Sequence, residues 1–333
     1  MSDPALVEVV RSGFVESVHH GALVVTRPDG SVRVAVGDAA RPVFPRSSTK
    51  PLQALGMLRA GLDLGDRDLA LVCASHSGEP AHVGRALAIL DRAGLTADHL
   101  GCPADYPMHE ASRLAAIRSW HGPRRAAMNC SGKHAGMLAT CVRNGWPTAG
   151  YLDPAHKLQL ALADTVAELT GERLAATGVD GCGAPLFAYS LTGLARAFGR
   201  LVTAAEGSAE RRVADAMRAN PWLVAGSGRE DTLLMVAVPG LLAKIGAEGV
   251  HAVALPDGTA VACKIADGAA RARGPVLAEA LRALGVAPEN PAAASVLAGL
   301  GSGRGQVLGG GVPVGELRAT DQLKRSLAAM SPQ

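Results

Sequence analysis

Residues 241–268 read LLAKIGAEGVHAVALPDGTAVACKIADG, and this stretch decides the fold class. Short runs rich in Val, Ala and Ile are separated by glycine-containing turns, and Pro256-Asp257-Gly258 has the composition of a hairpin turn. The pattern predicts strand, turn, strand, turn and strand, which is an antiparallel meander. Residues 270–285 follow with helical periodicity and predict a helix that closes the section.

Residues 6–38 show a similar alternation of apolar and polar residues, with Pro28-Asp29-Gly30 at a turn between two strand-like runs. The middle of the chain has helical patterns, at about 80–93, 109–120 and 133–143 among others. Strands at both ends and helices between them predict an α+β fold, in which N-terminal and C-terminal strands share one antiparallel sheet covered by helices. Because no repeat or linker interrupts the sequence, we expect residues 1–333 to form a single domain, with a helix-rich subregion at about 80–235.

The composition argues against nucleic-acid-binding and membrane proteins. Of the 333 residues, 48% are hydrophobic and 3% aromatic, and the net charge of +3 is not gathered into a basic stripe. The sequence has no run of about 18 apolar residues, and its first residues lack the pattern of a secretory signal. We therefore expect a cytoplasmic protein whose six cysteines are reduced thiols.

Lysine is scarce in this chain, which has 27 Arg and only 6 Lys. A buried lysine can lose its proton and act as a base or a metal ligand, whereas arginine stays protonated. Four of the six lysines lie among residues that suggest chemistry: Lys50, Lys133, Lys244 and Lys264.

Two stretches carry hydroxyl groups suited to acyl transfer. In PRSSTKPLQ, Ser47 precedes Lys50 by one helical turn, so the lysine can take the proton of the serine. The alternative is that Ser47 or Ser48 is a helix N-cap. In CASHSGEP, a strand-like apolar run ends at Ser75 and Ser77, which suits an active-site loop or, alternatively, a simple ST-turn.

Two further stretches combine cysteine with other possible metal ligands. NCSGKHAGML places Cys130 and Lys133 at the start of a helix, and GVDGCGAP places Asp180 and Cys182 between glycines. Two thiolates on glycine-rich loops can bind zinc, although neither loop has the C-x-x-C spacing of common zinc sites. The alternative is that both cysteines are small buried residues.

Taken in order, RSSTKP, SHSGE, NCSGKHAGML, DGCGAP, GSGREDT and KIGAEGV resemble the class 3 L-asparaginases, also classified as asparaginase II. The resemblance covers about residues 40–250. It implies a fold similar to that of serine β-lactamases and glutaminases, and it suggests a homodimer.

The resemblance implies two Ser-Lys tandems. The first is Ser47 with Lys50, and the second joins a serine of SHSG to a late lysine. We predict Ser77 and Lys244 for the second tandem, with Ser75 and Lys264 as the alternatives.

The resemblance also implies the remaining site residues and the reaction. Zinc would be bound by Cys130, Lys133 and Cys182, and would orient the substrate; the substrate's charged groups would be held by Arg46, Asp180 and His134. The expected enzyme is an amidohydrolase that converts L-asparagine to L-aspartate and ammonia through a serine nucleophile. The alternatives are a serine hydrolase of the same fold that acts on glutamine, a β-lactam or a peptide-like amide, and a zinc-holding protein without enzymatic activity.

Overall fold

The computed structural model describes residues 3–286, 289–302 and 307–330. The strands are β1 (Ala5–Arg11), β2 (Phe14–Thr26), β3 (Val32–Val36), β4 (Pro42–Val43), β5 (Ala176–Val179), β6 (Pro185–Ser190), β7 (Leu242–Ile245), β8 (Val250–Ala254), β9 (Ala260–Ile265), β10 (Val307–Gly309) and β11 (Val312–Ala319). The helices are α1 (Lys50–Arg59), α2 (Asp66–Val72), α3 (Pro80–Arg92), α4 (Glu110–Ser119), α5 (Ser131–Arg143), α6 (Lys157–Thr170), α7 (Leu191–Thr203), α8 (Ala209–Ala219), α9 (Pro221–Val224), α10 (Glu230–Ala237), α11 (Ala270–Ala283), α12 (Pro291–Gly301) and α13 (Asp321–Ala328). Three short 3₁₀ helices lie at Arg46–Thr49, Ala97–His99 and Arg125–Ala127.

The chain forms two compact units. Unit one is made of residues 1–48, 189–203 and 233–333, and unit two is made of residues 49–188 and 204–232. The helix-rich subregion predicted at about 80–235 falls largely in unit two. That all residues form a single domain stays a prediction. Within the described ranges, no helix combines the length and the apolar character needed to cross a membrane.

Unit one contains the predicted antiparallel sheet. Its strands follow the order β10-β11-β1-β2-β9-β8-β7, with β3 also paired to β2, so strands from both ends of the chain lie side by side. The two Pro-Asp-Gly stretches make the predicted turns, since Gly30 and Gly258 have positive φ and their amides bond back to Arg27 and Leu255. The glycine-rich tail, which the sequence left undecided between a loop and a strand, contributes β10 and β11; its residues 303–306 lie outside the described residues.

The central strands are buried on both faces, which explains why they read as nearly continuous apolar runs. All five residues of β8 are buried, and so are most of those in β9. Helix α7 contacts β2, β8 and β9, and α11 contacts β1, β2, β8, β9 and β11. The α+β prediction, with helices covering one antiparallel sheet, is therefore confirmed.

Unit two is built around α5, which packs against α1, α2, α3 and α6. Most of its side chains are buried, including Lys133 and His134. The helices predicted at about 80–93, 109–120 and 133–143 correspond to α3, α4 and α5.

One prediction in unit two is wrong. The apolar run before Ser75 is helix α2 and not a strand. A short apolar run cannot distinguish a buried strand from a buried helix. The acidic residues Asp66 and Asp68 in the first turn, which favour a helix N-terminus, were the available signal.

Candidate active site

The segment that carries Ser47 is held against the end of β7 within unit one. Ser47 is partly exposed, whereas the neighbouring Ser48 is buried and donates a hydrogen bond from its Oγ to the carbonyl of Lys244 at 2.9 Å. Residue 246 must be glycine here, since a Cβ would lie 2.4 Å from the Pro45 carbonyl oxygen and 2.9 Å from Ser48 Oγ. The close approach leaves Ser47 as the more accessible hydroxyl of the pair.

The two candidate lysines of unit one have different surroundings. Lys244 is fully buried, and its Nζ donates to the carbonyl of Ile245 at 2.9 Å. Lys264 donates to the carbonyls of Glu248 and Ile265, both at 2.6 Å, and thereby fastens the turn between β7 and β8. These contacts suit a structural role for Lys264, while Lys244 lies on the strand that Ser48 contacts.

The backbone beside Ser47 is strained. Arg46 has a φ of 54° and Glu248 a φ of 56°, a left-handed conformation that is uncommon for residues with side chains. The Arg46 guanidinium lies 3.8 Å from the Glu248 carboxylate. Such strain gathers at functional sites, where surrounding contacts hold an unfavourable conformation in place.

In unit two, the buried Lys50 joins two motifs that are distant in sequence. Its Nζ donates to the carbonyl of Ala74 at 2.7 Å, to Ser75 Oγ at 2.9 Å and to Cys130 Sγ at 3.0 Å. An ammonium group has three N–H bonds, and these acceptors match that number. Of the two serines left open by the sequence, Ser75 is therefore the one bonded to a lysine.

The loop from Ser75 to Glu79 is tied down along its whole length. The Ser75 amide donates to Val224, the His76 amide donates to Asn129, and the Ser77 carbonyl accepts from the His109 amide. The His76 ring is fully buried; its Nδ1 accepts from the Gly78 amide and its Nε2 contacts Ser131 Oγ at 2.9 Å.

Burial, and then the nearby His82 and Lys50, hold the pKa of His76 well below its usual value. A neutral ring therefore fixes the conformation of the loop.

Ser77 is bonded to a carboxylate and not to a lysine. Its Oγ donates to Glu79 Oε1 at 2.7 Å. The same carboxylate accepts from the amide and the hydroxyl of Ser227, each at 2.8 Å. Glu79 is only 8% exposed, and although burial acts to raise its pKa, the hydrogen bonds from Ser227 and Ser77 lower it below the usual value.

The two predicted cysteines and Lys133 meet in one buried cluster in unit two. Lys133 Nζ lies 3.2 Å from Cys182 Sγ, and Cys130 Sγ lies 3.0 Å from both Lys50 Nζ and Asn129 Oδ1. The neighbouring Cys182 raises the pKa of Cys130 well above its usual value, and the neighbouring Cys130 lowers that of Cys182.

Burial lowers the pKa of Lys133, but the neighbouring Cys182, Cys130 and Asp180 outweigh it, so the pKa is raised overall. These pKa shifts favour the thiolate form of Cys182 beside the ammonium form of Lys133.

His134 and Asp180 flank this cluster. His134 is fully buried, and its Nδ1 lies 2.6 Å from the Tyr151 hydroxyl, which itself accepts from the Gly101 amide. Its Nε2 is near enough to Cys182 to influence both pKa values, yet has no hydrogen-bond partner among the described residues. The Asp180 carboxylate lies 3.7 Å from Cys182 Sγ and accepts from the Gly181 amide at 2.9 Å.

The structure thus brings together several of the residues chosen from the sequence and adds others. Arg46, Ser47 and Lys244 belong to unit one; the other chosen residues belong to unit two: Lys50, Ser77, Cys130, Lys133, His134, Asp180 and Cys182. Sequence analysis did not single out Glu79 or Ser227, although both lie in the motifs SHSGE and GSGREDT. A glutamate just before a helix-starting proline reads as an ordinary helix terminus, so its contact with Ser77 gave no sequence signal.

In the described part of the chain, no group of three or more His, Cys, Asp and Glu side chains is arranged to hold a metal ion. All six cysteines are buried, and none of them forms a disulfide bond in the structure. The cluster of Cys130, Lys133 and Cys182 contains only two side chains of these four types, the two cysteines. Its third possible ligand is the amine of Lys133.

The solved structures that resemble this one include a β-lactamase from Mycobacterium bovis, with 18% identity and a TM-score of 0.41, over 84% of this chain and 94% of that chain. They also include Mglu in its native form, with 15% identity and a TM-score of 0.33, over 76% of this chain and 61% of that chain. A search of curated proteins finds no significant match.

A family model described as L-asparaginase II matches residues 7–319. The match spans the strands at both ends of the sheet and all the motifs described above. The chain therefore belongs to the L-asparaginase II family.

Proposed function

We propose that this protein is an amidohydrolase that converts L-asparagine to L-aspartate and ammonia. The observation that carries the proposal is the buried Lys50 bonded to Ser75 Oγ at 2.9 Å, in a chain whose family is L-asparaginase II. A hydroxyl that shares a proton with a buried lysine is an activated nucleophile or a proton relay in acyl transfer.

In the proposed reaction, Ser47 is the nucleophile. Its Oγ attacks the side-chain amide carbon of asparagine while its proton passes to Lys50 as general base. The C–N bond then breaks, ammonia leaves with a proton returned from the lysine, and a β-acyl-enzyme remains on Ser47. Water attacks this ester, and L-aspartate leaves as the serine regains its proton. The partial exposure of Ser47 supports its choice as the hydroxyl that meets the substrate.

Ser75 and Lys244 complete the proton path in this proposal. The sequence left Ser75 and Ser77 as alternatives, and the bond to Lys50 favours Ser75 as the relay. Lys244 is retained over Lys264, whose Nζ is occupied by two turn carbonyls.

Zinc is the proposed metal, with Cys130, Lys133 and Cys182 as ligands. Two buried thiols and a buried amine, with Lys133 Nζ 3.2 Å from Cys182 Sγ, are a suitable donor set for zinc, which prefers sulfur and nitrogen ligands. The metal would supply a Lewis acid that orients the substrate. Two thiolates would leave it with little positive charge, so we do not assign it the generation of a nucleophile.

Arg46, Asp180 and His134 remain the proposed contacts for the charged groups of the substrate. The strained Arg46 lies next to Ser47, and Asp180 and His134 flank the thiol cluster. A cytoplasmic location and a homodimer also stay predictions. The free thiols of Cys130 and Cys182 support a reducing compartment.

The test is ammonia release from L-asparagine and L-glutamine, with nitrocefin hydrolysis as the third assay. We expect release from asparagine, and Ser47→Ala should lose nearly all of it while keeping the fold. The matched control Ser48→Ala removes a neighbouring hydroxyl and should lose far less. A fully active Ser47→Ala enzyme would overturn the mechanism. Turnover of nitrocefin without ammonia release would favour the β-lactam alternative.

A further inference from the structure

The Glu79 carboxylate carries a buried negative charge that the proposed reaction does not use. Its three hydrogen bonds come from neutral donors: the Ser77 hydroxyl, the Ser227 amide and the Ser227 hydroxyl. Among the described residues, no lysine or arginine forms an ion pair with it, and the nearest charged influence is His109. A buried charge is costly when it lacks an opposite charge.

The local fold does not account for this charge. Glu79 occupies the N-cap position of α3, but its side chain does not cap the helix. A glutamine could keep both contacts, with its carbonyl oxygen accepting from Ser77 and the Ser227 amide and its NH2 group donating to the Ser227 hydroxyl, so a latch between the two loops does not need an anion. The hydrogen bonds from these donors lower the pKa of the carboxyl group and so favour its ionised form.

The position of the charge relates it to substrate binding. Ser77 gives its only proton to Glu79, so the lone pairs of its oxygen remain free to accept from an N–H donor. The same loop carries Ser75, which is bonded to Lys50. An ionised carboxylate behind a hydroxyl makes that hydroxyl a stronger acceptor, and an ammonium group is the donor that such an acceptor favours.

We propose that Glu79, acting together with Ser77, is the element that recognises the α-ammonium group of an amino-acid substrate. The inference rests on the proposed function, because it assumes that the ligand is asparagine or its product. It makes Glu79 a specificity-determining residue that separates α-amino acids from acids without the amino group.

The test compares the binding of two ligands that differ only in the α-ammonium group: L-aspartate, which is the product, and succinate. Isothermal titration calorimetry measures both dissociation constants for the wild-type protein and for Glu79→Gln, which keeps the shape of the side chain and removes its charge. We expect the wild type to prefer L-aspartate. The variant should lose roughly ten- to a hundredfold of that preference, the size of one hydrogen bond to a charged group.

Three further variants separate charge from shape. Glu110→Gln removes an exposed carboxylate at the start of α4 and should keep the preference. Ser227→Ala removes one donor to Glu79 but leaves the charge, and should also keep it. Ser77→Ala leaves the charge but removes the hydroxyl, so it should lower the preference for L-aspartate. If Glu79→Gln does not fold, this variant still tests the inference.

Two results would overturn the inference: a wild-type protein without preference for L-aspartate, or a folded Glu79→Gln protein that keeps the preference. The inference would also be overturned if Asp180→Asn lost the preference while Glu79→Gln kept it, because the ammonium group would then be assigned to Asp180. Because the readout is binding, it is separate from ammonia release, whose absence would count against the proposed function instead.

Discussion

Gly226 is the position where a single methyl group should disturb the loop that holds Ser77. Its φ is 118°, which L-residues rarely adopt, and a Cβ there would lie 1.9 Å from Ser77 Oγ and 2.8 Å from Glu79 Oε1. In Gly226→Ala we expect about 1–2 kcal/mol of backbone strain. Forcing Ser77 away from the new methyl adds about 1–3 kcal/mol of overpacking. The free energy of unfolding should therefore fall by about 2–5 kcal/mol.

Gly228 is the matched control in the same loop. Its φ is 67°, and a Cβ there would meet no atom within 4 Å. Gly228→Ala should therefore lose only the backbone part, about 1–2 kcal/mol. Urea unfolding followed by circular dichroism measures both variants, with the preference for L-aspartate over succinate as a second readout that only Gly226→Ala should change. Equal losses of stability in the two variants would refute the claim that crowding at Ser77 matters.

Two other predictions concern acid and metal. Burial lowers the folded-state pKa values of His76 and His82 below 6.5, so the unfolded chain takes up protons first and the free energy of unfolding falls as the pH drops below about 6.5. The slope should approach about 1.4 kcal/mol per pH unit for each histidine, and urea midpoints between pH 7 and pH 5 would show it; a flat profile would contradict it. For the metal, atomic absorption should find zinc bound to the wild type but not to Cys182→Ser. The control Cys141→Ser, which removes a cysteine from α5 that is not a proposed ligand, should keep its zinc. Equal zinc in both variants would rule out Cys182 as a ligand.

The sheet of unit one was predictable because its turns carry their own signals. Both Pro-Asp-Gly stretches need a glycine at positive φ, and the structure has one at Gly30 and one at Gly258. Alternation in residues 6–38 and short apolar runs in residues 241–268 then define the strands that these turns connect. The run ending at Val72 shows no alternation, and the Gly65-Asp66 pair before it suits the start of a strand as well as that of a helix, so its apolar character led to the wrong element.

The partners within the site were harder to predict than its members. Lys50 meets Ser75 and Cys130 only because α1, α2 and α5 pack together in unit two, and no local pattern encodes that packing. The Ser47–Lys50 tandem rests on spacing along the chain, whereas the contact between Lys50 and Ser75 joins two motifs that are remote in sequence. Glu79 was missed for the same reason, because it accepts a hydrogen bond from Ser227, which is remote in sequence.

The scarcity of lysine was the sequence signal that pointed most directly to the chemistry. Lys50, Lys133 and Lys244 are among the largest fully buried side chains of the protein, and Lys264 is partly buried. Their acceptors include main-chain carbonyls, a hydroxyl and thiols, which a compact ammonium can reach with its rotatable N–H bonds. A planar guanidinium presents five donors in a rigid fork, so it could not satisfy them all in the same space and could not lose a proton there. The other two lysines, Lys157 and Lys324, are exposed, so scarcity alone does not mark a functional lysine, and burial is what distinguishes Lys50, Lys133 and Lys244 from them.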